Sequence, residues 1–274
     1  MKIRSFSDTD VVRLHGEFTG AKPFPHVVID DFLVGEREEA ERFPAPDWPG
    51  WRRYEGSEYQ PEKMICDSIE KIPEDFARII REMCDPTFLT MLEEITGIPK
   101  IIPDPYLNGG GLHSSGPGGI LKPHSDFHNY ERLGLFRRLN ALVYMNPDWT
   151  ADDGGSLQLW GDANATQVAR SVVPEFGTCV IFQTDFDSVH GFTDPVKGPR
   201  YRNSIALYYY TAAEAGKYSG DTTTYWRQHE QRHGLAALRV RAYRSLLFCA
   251  RGIAYIAHRI NPNRMKDPTK RRAR

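Results

Sequence analysis

Residues 118–126 contain two side chains that could bind a metal ion. His124 and Asp126 are separated by one residue, at the end of a short apolar stretch that begins at a glycine pair. Side chains two residues apart in a β-strand point to the same side, so the imidazole and the carboxylate would face one interior together. Two histidines and one carboxylate on one side of an ion, with other positions open, form a facial triad that suits non-haem Fe(II). The segment therefore predicts two of the three ligands of such a site.

The triplet alone is weak support for a metal site. A chain with nine histidines should contain roughly 0.6 His-x-Asp triplets by chance, and backbone hydrogen bonds would also explain a histidine and an aspartate at a strand end. His190 lies 66 residues after His124 and could provide the second imidazole if a folded barrel returns it to the site. Taken alone, His190 is also compatible with a turn histidine that makes structural hydrogen bonds.

Two arginines directly precede an apolar, aromatic strand that is predicted further along the chain. Arg200, Arg202 and Ser204 alternate onto one face of the segment that leads into residues 204–211. A buried lone charge is costly, so these guanidinium groups need an anionic partner. A small dicarboxylate would match them, because a guanidinium pairs with a carboxylate through two parallel hydrogen bonds. An ordinary salt bridge at a strand entrance is the alternative.

Short strands and glycine turns dominate the chain after residue 101. Many short strands at regular spacing indicate a closed or double-sheet β architecture. Strands are predicted at residues 137–146, 154–160, 168–173, 178–183 and 204–211.

Helices are predicted before these strands. A helix opens at residues 72–74, and a second one runs from about residue 88 to 95 and ends at Gly97. Both are expected to pack on one face of a sheet. The first helix has an apolar stripe at helical spacing, formed by Phe76, Ile79, Ile80 and Met83. Residues 23–33 predict a strand and residues 36–42 a short charged helix, whereas residues 1–20 carry no strong period and are expected to form a loose arm.

Composition places the chain among globular proteins. Hydrophobic residues make up 40% of it and aromatic residues 12%, and no apolar run reaches the length of about 18 residues that a membrane helix needs. The first residues lack the apolar stretch of a signal peptide. The four cysteines form no Cys-x-x-Cys pair, so reduced thiols and a cytoplasmic location are expected.

Charge is unevenly distributed along the chain. From Arg227 to the end there are thirteen lysines and arginines against two acidic residues, a net charge of +11, although the whole chain carries −1. Residues 235–260 predict a helix with basic residues at seven-residue intervals. This helix either packs on the barrel with a solvated basic side or meets an acidic partner such as anionic lipid, a carrier protein or nucleic acid.

Taken together, the motifs His124-x-Asp126, His190 and Arg202-x-Ser204 resemble those of the prolyl-hydroxylase-type family of 2-oxoglutarate- and Fe(II)-dependent oxygenases. The segments 23–33, 109–127, 137–149 and 154–160 also look like this family, and the resemblance covers about residues 22–213.

The resemblance implies a role for each matching residue. His124, Asp126 and His190 would bind Fe(II), and Arg202 would pair with the distal carboxylate of 2-oxoglutarate, with Ser204 beside it. Three further residues keep an alternative. Arg200 is the alternative to Arg202 as the partner of the distal carboxylate. Tyr144 either donates a hydrogen bond to the same carboxylate or is a core tyrosine. His113 is either a further contact of the cosubstrate or of a metal ligand, or a structural residue.

The resemblance also implies a reaction. Fe(II), 2-oxoglutarate and O₂ would together hydroxylate an unactivated C–H bond, with succinate and CO₂ as coproducts. Related halogenases lack the carboxylate that Asp126 provides, so its presence favours hydroxylation. The primary substrate stays open: a protein side chain, an amino acid and a saccharide or lipid-linked precursor are all compatible. Residues 128–134 could contact it or form an ordinary surface loop.

These observations predict an α+β protein with a double-stranded β-helix core (jelly-roll, cupin-like) over about residues 101–213, buttressing helices and a C-terminal helical appendage. The expected divisions are an N-terminal arm at 1–21, an oxygenase domain at 22–213 and a basic helix and tail at 214–274. The alternative function is a non-catalytic jelly-roll binding module that docks an acidic or glycan partner.

Overall fold

The computed structural model describes residues 1–54, 57–130, 133–212 and 225–226, together with eleven separate helical positions between 238 and 256. The helices are α1 (Asp8–Gly20), α2 (Arg37–Glu41), α3 (Glu74–Met83) and α4 (Pro86–Thr96), with a 3₁₀ turn at Ala151–Asp153. The strands are β1 (Lys2–Ile3), β2 (His26–Ile29), β3 (Leu33–Val34), β4 (Arg52–Arg53), β5 (Lys63–Cys66), β6 (Ile102–Pro103), β7 (Gly111–Ser115), β8 (Leu121–Ser125), β9 (Asn129–Tyr130), β10 (Leu135–Tyr144), β11 (Leu157–Trp160), β12 (Val168–Val172), β13 (Cys179–Gln183), β14 (His190–Phe192), β15 (Arg202–Ala212) and β16 (Tyr225–Trp226).

Two antiparallel sheets form the centre of the structure. The larger sheet runs in the order β2-β13-β10-β15-β7-β5-β4, with β6 beside β15 and β9 beside β10. The smaller sheet runs β12-β11-β14-β8-β16. Apolar side chains from both sheets pack against one another in a shared cluster that includes Tyr144, Phe182, Leu157 and Leu159. This arrangement confirms the predicted double-stranded β-helix core.

Strand β10 shows why the larger sheet has two different faces. Leu139, Ala141 and Val143 belong to the core on the helix side of the sheet, whereas Tyr144 packs towards the smaller sheet. Alternate residues of a strand point to opposite faces, so the sequence alternation assigns each side chain to one core or the other. The polar Asn140 falls on the face that looks towards the smaller sheet, where it is buried.

The helices α3 and α4 cover the outer face of the larger sheet, as the sequence predicts. Phe76 and Met83 of α3 are fully buried in the same core as Ile205 of β15. The Tyr209 hydroxyl of β15 donates a hydrogen bond of 3.1 Å to the Met83 carbonyl oxygen. Gly97, in the left-handed conformation with φ of 69°, ends α4.

The N-terminal segment is not a loose arm, which corrects the sequence-based expectation. Ser7 caps α1, because its hydroxyl accepts a hydrogen bond from the Asp10 backbone and the Asp10 carboxylate bonds back to the Ser7 backbone. Leu14 and Phe18 are each 1% exposed. Only these two positions of α1 are buried, so the apolar period in the sequence is too sparse to be recognised.

The chain divides into two compact units, Met1–His229 and Glu230–Arg274. Strand β16 belongs to the first unit and pairs with β8, although it lies beyond the predicted boundary at residue 213. The predicted helix at 235–260 falls mostly on residues outside the described set, and its eleven described positions are helical. The basic residues after 260 also lie outside that set. None of the described helices is long and apolar enough to cross a membrane.

Replacing Phe18 by alanine tests whether α1 is part of the cooperative fold. We expect the free energy of unfolding to fall by about 3–5 kcal/mol, because the ring leaves a cavity in the core. Urea denaturation measures the change. The control is Val12→Ala on the same helix, where the side chain is 73% exposed and the expected change is within about 0.5 kcal/mol. An unchanged unfolding midpoint for Phe18→Ala would mean that α1 is a detachable arm after all.

Candidate metal centre

Adjacent strands of the smaller sheet bring two histidines together. His124 of β8 lies directly opposite His190 of β14 in the antiparallel register, and their ring centroids are 4.4 Å apart. Asp126 follows β8 and lies between the two rings: its Oδ1 is 3.8 Å from His124 Nε2, and its Oδ2 is 3.4 Å from His190 Nε2. One ligand atom from each residue lies within 4.8 Å of the others, and all three residues are buried. The structure therefore places the three predicted ligands around one point.

Backbone contacts orient both imidazoles. His124 Nδ1 is 2.9 Å from the Lys122 carbonyl oxygen, and His190 Nδ1 is 3.0 Å from the Ser188 carbonyl oxygen. A carbonyl only accepts hydrogen bonds, so each Nδ1 carries the proton and each Nε2 keeps its lone pair. Both Nε2 atoms face Asp126, so the lone pairs of the two histidines and the carboxylate are available to the same metal ion.

Burial also sets the ionisation of the cluster. Burial, with the nearby charge of His190, lowers the pKa of His124 to about 3, although Asp126 opposes the shift. Burial likewise lowers the pKa of His190. Burial alone would raise the pKa of Asp126, but the charge of Arg137 and of both histidines brings it below its usual value. Two neutral imidazoles beside one ionised carboxylate fit the donor set of non-haem Fe(II).

Two side chains of β10, on the larger sheet, hold the Asp126 carboxylate. Arg137 Nη2 donates to Asp126 Oδ2 at 3.0 Å, and Asn140 Nδ2 donates to the same oxygen at 2.7 Å. Arg137 also donates to Asn140 Oδ1 from Nε at 2.9 Å and from Nη2 at 2.7 Å. The Arg137 guanidinium lies 3.4 Å from the centroid of the Tyr208 ring. These contacts fix the rotation of the carboxylate and the spacing of the two sheets at the site.

A β-bulge explains why the sequence did not point to Arg137. Arg137 and Asn140 are three residues apart, so in a regular strand they would face opposite sides of the sheet. The register with β15 shifts between Arg137 and Leu139, which turns Arg137 to the face that carries Asn140. Neither residue was among the sequence-predicted site residues. No sequence signal marks the bulge, because the segment reads as an uninterrupted strand.

Arg202 of β15 lies in the same interior and is 7% exposed. Its Nε donates to the Gly155 carbonyl oxygen at 2.6 Å, and its Nη2 donates to the Tyr144 hydroxyl oxygen at 3.2 Å. Ser204 lies opposite Tyr144 in the register. A Cβ on Gly155 would lie 2.9 Å from Arg202 Cδ, so this close passage requires glycine. Within the described ranges, no carboxylate forms an ion pair with Arg202.

Arg200 occupies a different environment. Its Nη1 donates to Asp153 Oδ2 at 3.1 Å and to the Asp148 carbonyl oxygen at 2.9 Å, and its guanidinium lies 4.6 Å from the Trp149 ring centroid. Arg200 therefore already has an anionic partner, whereas Arg202 does not. This contrast favours Arg202 as the cation that is available to a bound anion.

His113 of β7 lies opposite Ser204 in the larger sheet. Its Nε2 is 3.0 Å from the Gly109 carbonyl oxygen, to which it donates a hydrogen bond. Burial lowers the pKa of His113 well below its usual value. The bond to Gly109 favours the structural role over a cosubstrate contact.

Comparisons with known proteins agree with this geometry. Residues 110–210 match the sequence model of the 2OG-Fe(II) oxygenase superfamily, a range that contains the histidines, Asp126 and Arg202. Prolyl 3-hydroxylase OGFOD1 from Xenopus laevis is 30% identical over 77 residues, which are 27% of this chain and 15% of that protein. The chain thus aligns with a small part of that relative's length.

Two solved structures have a similar fold. One is a prolyl hydroxylase from Trichoplax adhaerens in complex with a hypoxia inducible factor peptide fragment, with a TM-score of 0.52, 16% identity and coverage of 74% of this chain and 91% of that one. The other is the non-heme alpha ketoglutarate dependent epimerase SnoN from nogalamycin biosynthesis, with a TM-score of 0.50, 14% identity and coverage of 81% and 87%. At these identities the similarity concerns the fold alone.

Replacing Asn140 by alanine tests how Asp126 is held. We expect the affinity for Fe(II), or for Mn(II) as a redox-stable substitute, to fall about 10–100-fold, because the carboxylate loses a bond that orients it towards the metal. Competition with a chelator measures the affinity. The matched control, Asn164→Ala, removes an exposed side chain and should leave the affinity unchanged. Equal metal affinities for wild type and Asn140→Ala would show that Asn140 does not orient Asp126 towards a metal.

Proposed function

We propose that the chain is an Fe(II)- and 2-oxoglutarate-dependent dioxygenase of the 2OG-Fe(II) oxygenase superfamily, whose sequence model matches residues 110–210, and that it hydroxylates an unactivated C–H bond. One observation carries this proposal. A buried His-Asp-His cluster on the smaller sheet shares an interior with Arg202 of the larger sheet, a buried guanidinium that no described carboxylate pairs. A metal ion and a small dianion would satisfy both features together.

Each residue of the cluster has a distinct task in the proposed reaction. His124, His190 and Asp126 would hold Fe(II), which when bound supplies the oxidative decarboxylation of 2-oxoglutarate to succinate and CO₂ with O₂. Arg137 and Asn140 keep the Asp126 carboxylate in one orientation, through the hydrogen bonds to its Oδ2. Since the carboxylate cannot rotate freely, the ligand set would change little between the free and the loaded protein.

Arg202 would bind the distal carboxylate of 2-oxoglutarate. Its Nε is committed to the Gly155 carbonyl, and its other end points to the Tyr144 hydroxyl, so the guanidinium and this hydroxyl could bind one carboxylate together. Ser204 lies beside them. The Phe192 ring centroid is 4.4 Å from the guanidinium carbon, and this apolar surface excludes water and strengthens the charge pairing.

The non-catalytic binding module is the less favoured function. A module that docks an acidic or glycan partner at its surface would have no need for a buried, unpaired arginine beside a metal-binding cluster. The proposal includes the cytoplasmic location expected from the sequence and does not specify the primary substrate. The similar structures include one in complex with a peptide and one from nogalamycin biosynthesis, so the fold does not restrict the substrate to a protein.

Succinate formation tests the proposed activity. The wild-type protein should release succinate only when Fe(II), 2-oxoglutarate and O₂ are all present, and Asp126→Ala should lower the rate by at least about 100-fold because a metal ligand is lost. Asp152→Ala, which changes an exposed aspartate, is the matched control. Tight metal binding by wild type without any iron-dependent succinate would instead support the binding module.

The affinity for 2-oxoglutarate tests the choice between the two arginines. We expect Arg202→Leu to raise the KM for 2-oxoglutarate about 10–100-fold, since a hydrogen bond to a charged group contributes about 1.5–3 kcal/mol. Arg202→Lys should recover part of the loss. Arg200→Leu should leave this KM within about threefold of wild type, because Arg200 is paired with Asp153. A larger effect at Arg200 than at Arg202 would reverse the assignment.

A further inference from the structure

Lys63 lies in the same row of the larger sheet as Arg202. In the antiparallel register, Lys63 of β5 is opposite Ser115 of β7, and Ser115 is opposite Arg202 of β15. Side chains that are directly opposite across a sheet share a face. Lys63 therefore points to the same interior as Arg202, and it is only partly exposed.

The electrostatic interactions of Lys63 agree with this placement. Burial lowers the pKa of Lys63 to about 8, with Asp126 opposing the shift and Arg202 and Arg137 adding to it. In turn, the positive charge of Lys63 lowers the pKa of both His124 and His190. The amine is thus close enough to the metal-binding cluster for its charge to be felt by every member of it.

Among the described residues, none is a partner for the Lys63 ammonium. In the part of the chain that the structure describes, its amine makes no hydrogen bond and no ion pair. Arg137, by contrast, is bonded to Asp126 and Asn140, and a second carboxylate, that of Asp104, is within electrostatic reach of it. An ammonium that is largely removed from water and has no described partner is unfavourable, so an anionic ligand would stabilise it.

Under the proposed assignment, neither the metal nor the cosubstrate would supply that anion. In the loaded protein, the charge of Fe(II) would be balanced by Asp126 and by the nearer carboxylate of 2-oxoglutarate. The distal carboxylate would pair with Arg202. Arg137 would stay hydrogen-bonded to Asp126 and near the negative charge of Asp104. The positive charge of Lys63 would then be left over in the interior that it shares with Arg202 and the metal-binding cluster.

We propose that the primary substrate carries a carboxylate and that Lys63 binds it. The inference rests on the proposed function, because it gives a ligand to the Lys63 ammonium, a charged group of that same site. A single surplus positive charge matches a carboxylate better than a phosphate, which carries nearly two negative charges at neutral pH. Lysine offers three donors on a flexible stem, so it can follow a carboxylate to the position that presents the neighbouring C–H bond to the metal.

Amine reactivity tests the proposal without knowledge of the substrate. The full chain, loaded with Mn(II) and 2-oxoglutarate, is treated briefly with acetic anhydride, and acetylation at Lys63 and at the exposed Lys71 is quantified by peptide mass spectrometry. The probes are N-acetylglycine, its uncharged amide and inorganic phosphate. Saturating N-acetylglycine should slow acetylation of Lys63 about tenfold and leave Lys71 unaffected, whereas the amide should protect neither. Equal protection by the amide, stronger protection by phosphate, or no protection by N-acetylglycine would overturn the proposal.

Variants of Lys63 separate substrate binding from cosubstrate binding. Lys63→Met, with Lys71→Met as the matched control, should weaken the binding of N-acetylglycine about tenfold and change the Kd for 2-oxoglutarate less than about threefold. Lys63→Arg should restore the binding of N-acetylglycine. A loss of 2-oxoglutarate affinity as large as that of Arg202→Leu would make Lys63 a cosubstrate ligand and overturn the proposal. These binding readouts need no turnover, so they stay informative even if the protein releases no succinate.

Discussion

The hydrogen bonds from Arg137 and Asn140 to Asp126 are the constraint on which the site depends. They join the end of β8 in the smaller sheet to β10 in the larger one. An ionised carboxylate in this interior would be unstable alone, and an arginine that is 1% exposed would be equally unfavourable without an anion. The Asp126 carboxylate and the Arg137 guanidinium neutralise each other. The hydrogen bonds from Arg137 and Asn140 are accepted by the same carboxylate oxygen, Oδ2. The pair therefore stabilises the interior and orients a metal ligand at once.

The two sheets contribute different chemistry to this interior. The smaller sheet presents the metal-binding atoms, since His124 and His190 lie opposite each other on neighbouring strands. The larger sheet presents cations, since Arg202 and Lys63 lie in one row across three strands. Neutral imidazoles and a carboxylate could bind a metal ion, and the opposing cations would attract anionic ligands. The interior can thus hold a metal ion and organic anions side by side.

Sequence reasoning identified the parts of the site that obey local periodicity. The one-residue spacing of His124 and Asp126 predicted a shared face, and the alternation of Arg202 and Ser204 did the same for β15. The apolar stripe of α3 and the glycine after α4 gave the positions of both buttressing helices. The family resemblance then connected His190, which lies too far along the chain for spacing alone to place it.

The residues that sequence reasoning missed depend on features that are not periodic. Arg137 reaches the site through a bulge in β10, and Lys63 begins a strand of four residues, too short to show alternation. The helix α1 buries only Leu14 and Phe18, so its stripe could not be recognised. In each of these three cases, tertiary contacts determine where the side chains lie, and local periodicity does not. Because the sequence-based site omitted Arg137 and Lys63, it made the interior look less cationic than it is, and the proposed binding of a carboxylate rests on that positive charge.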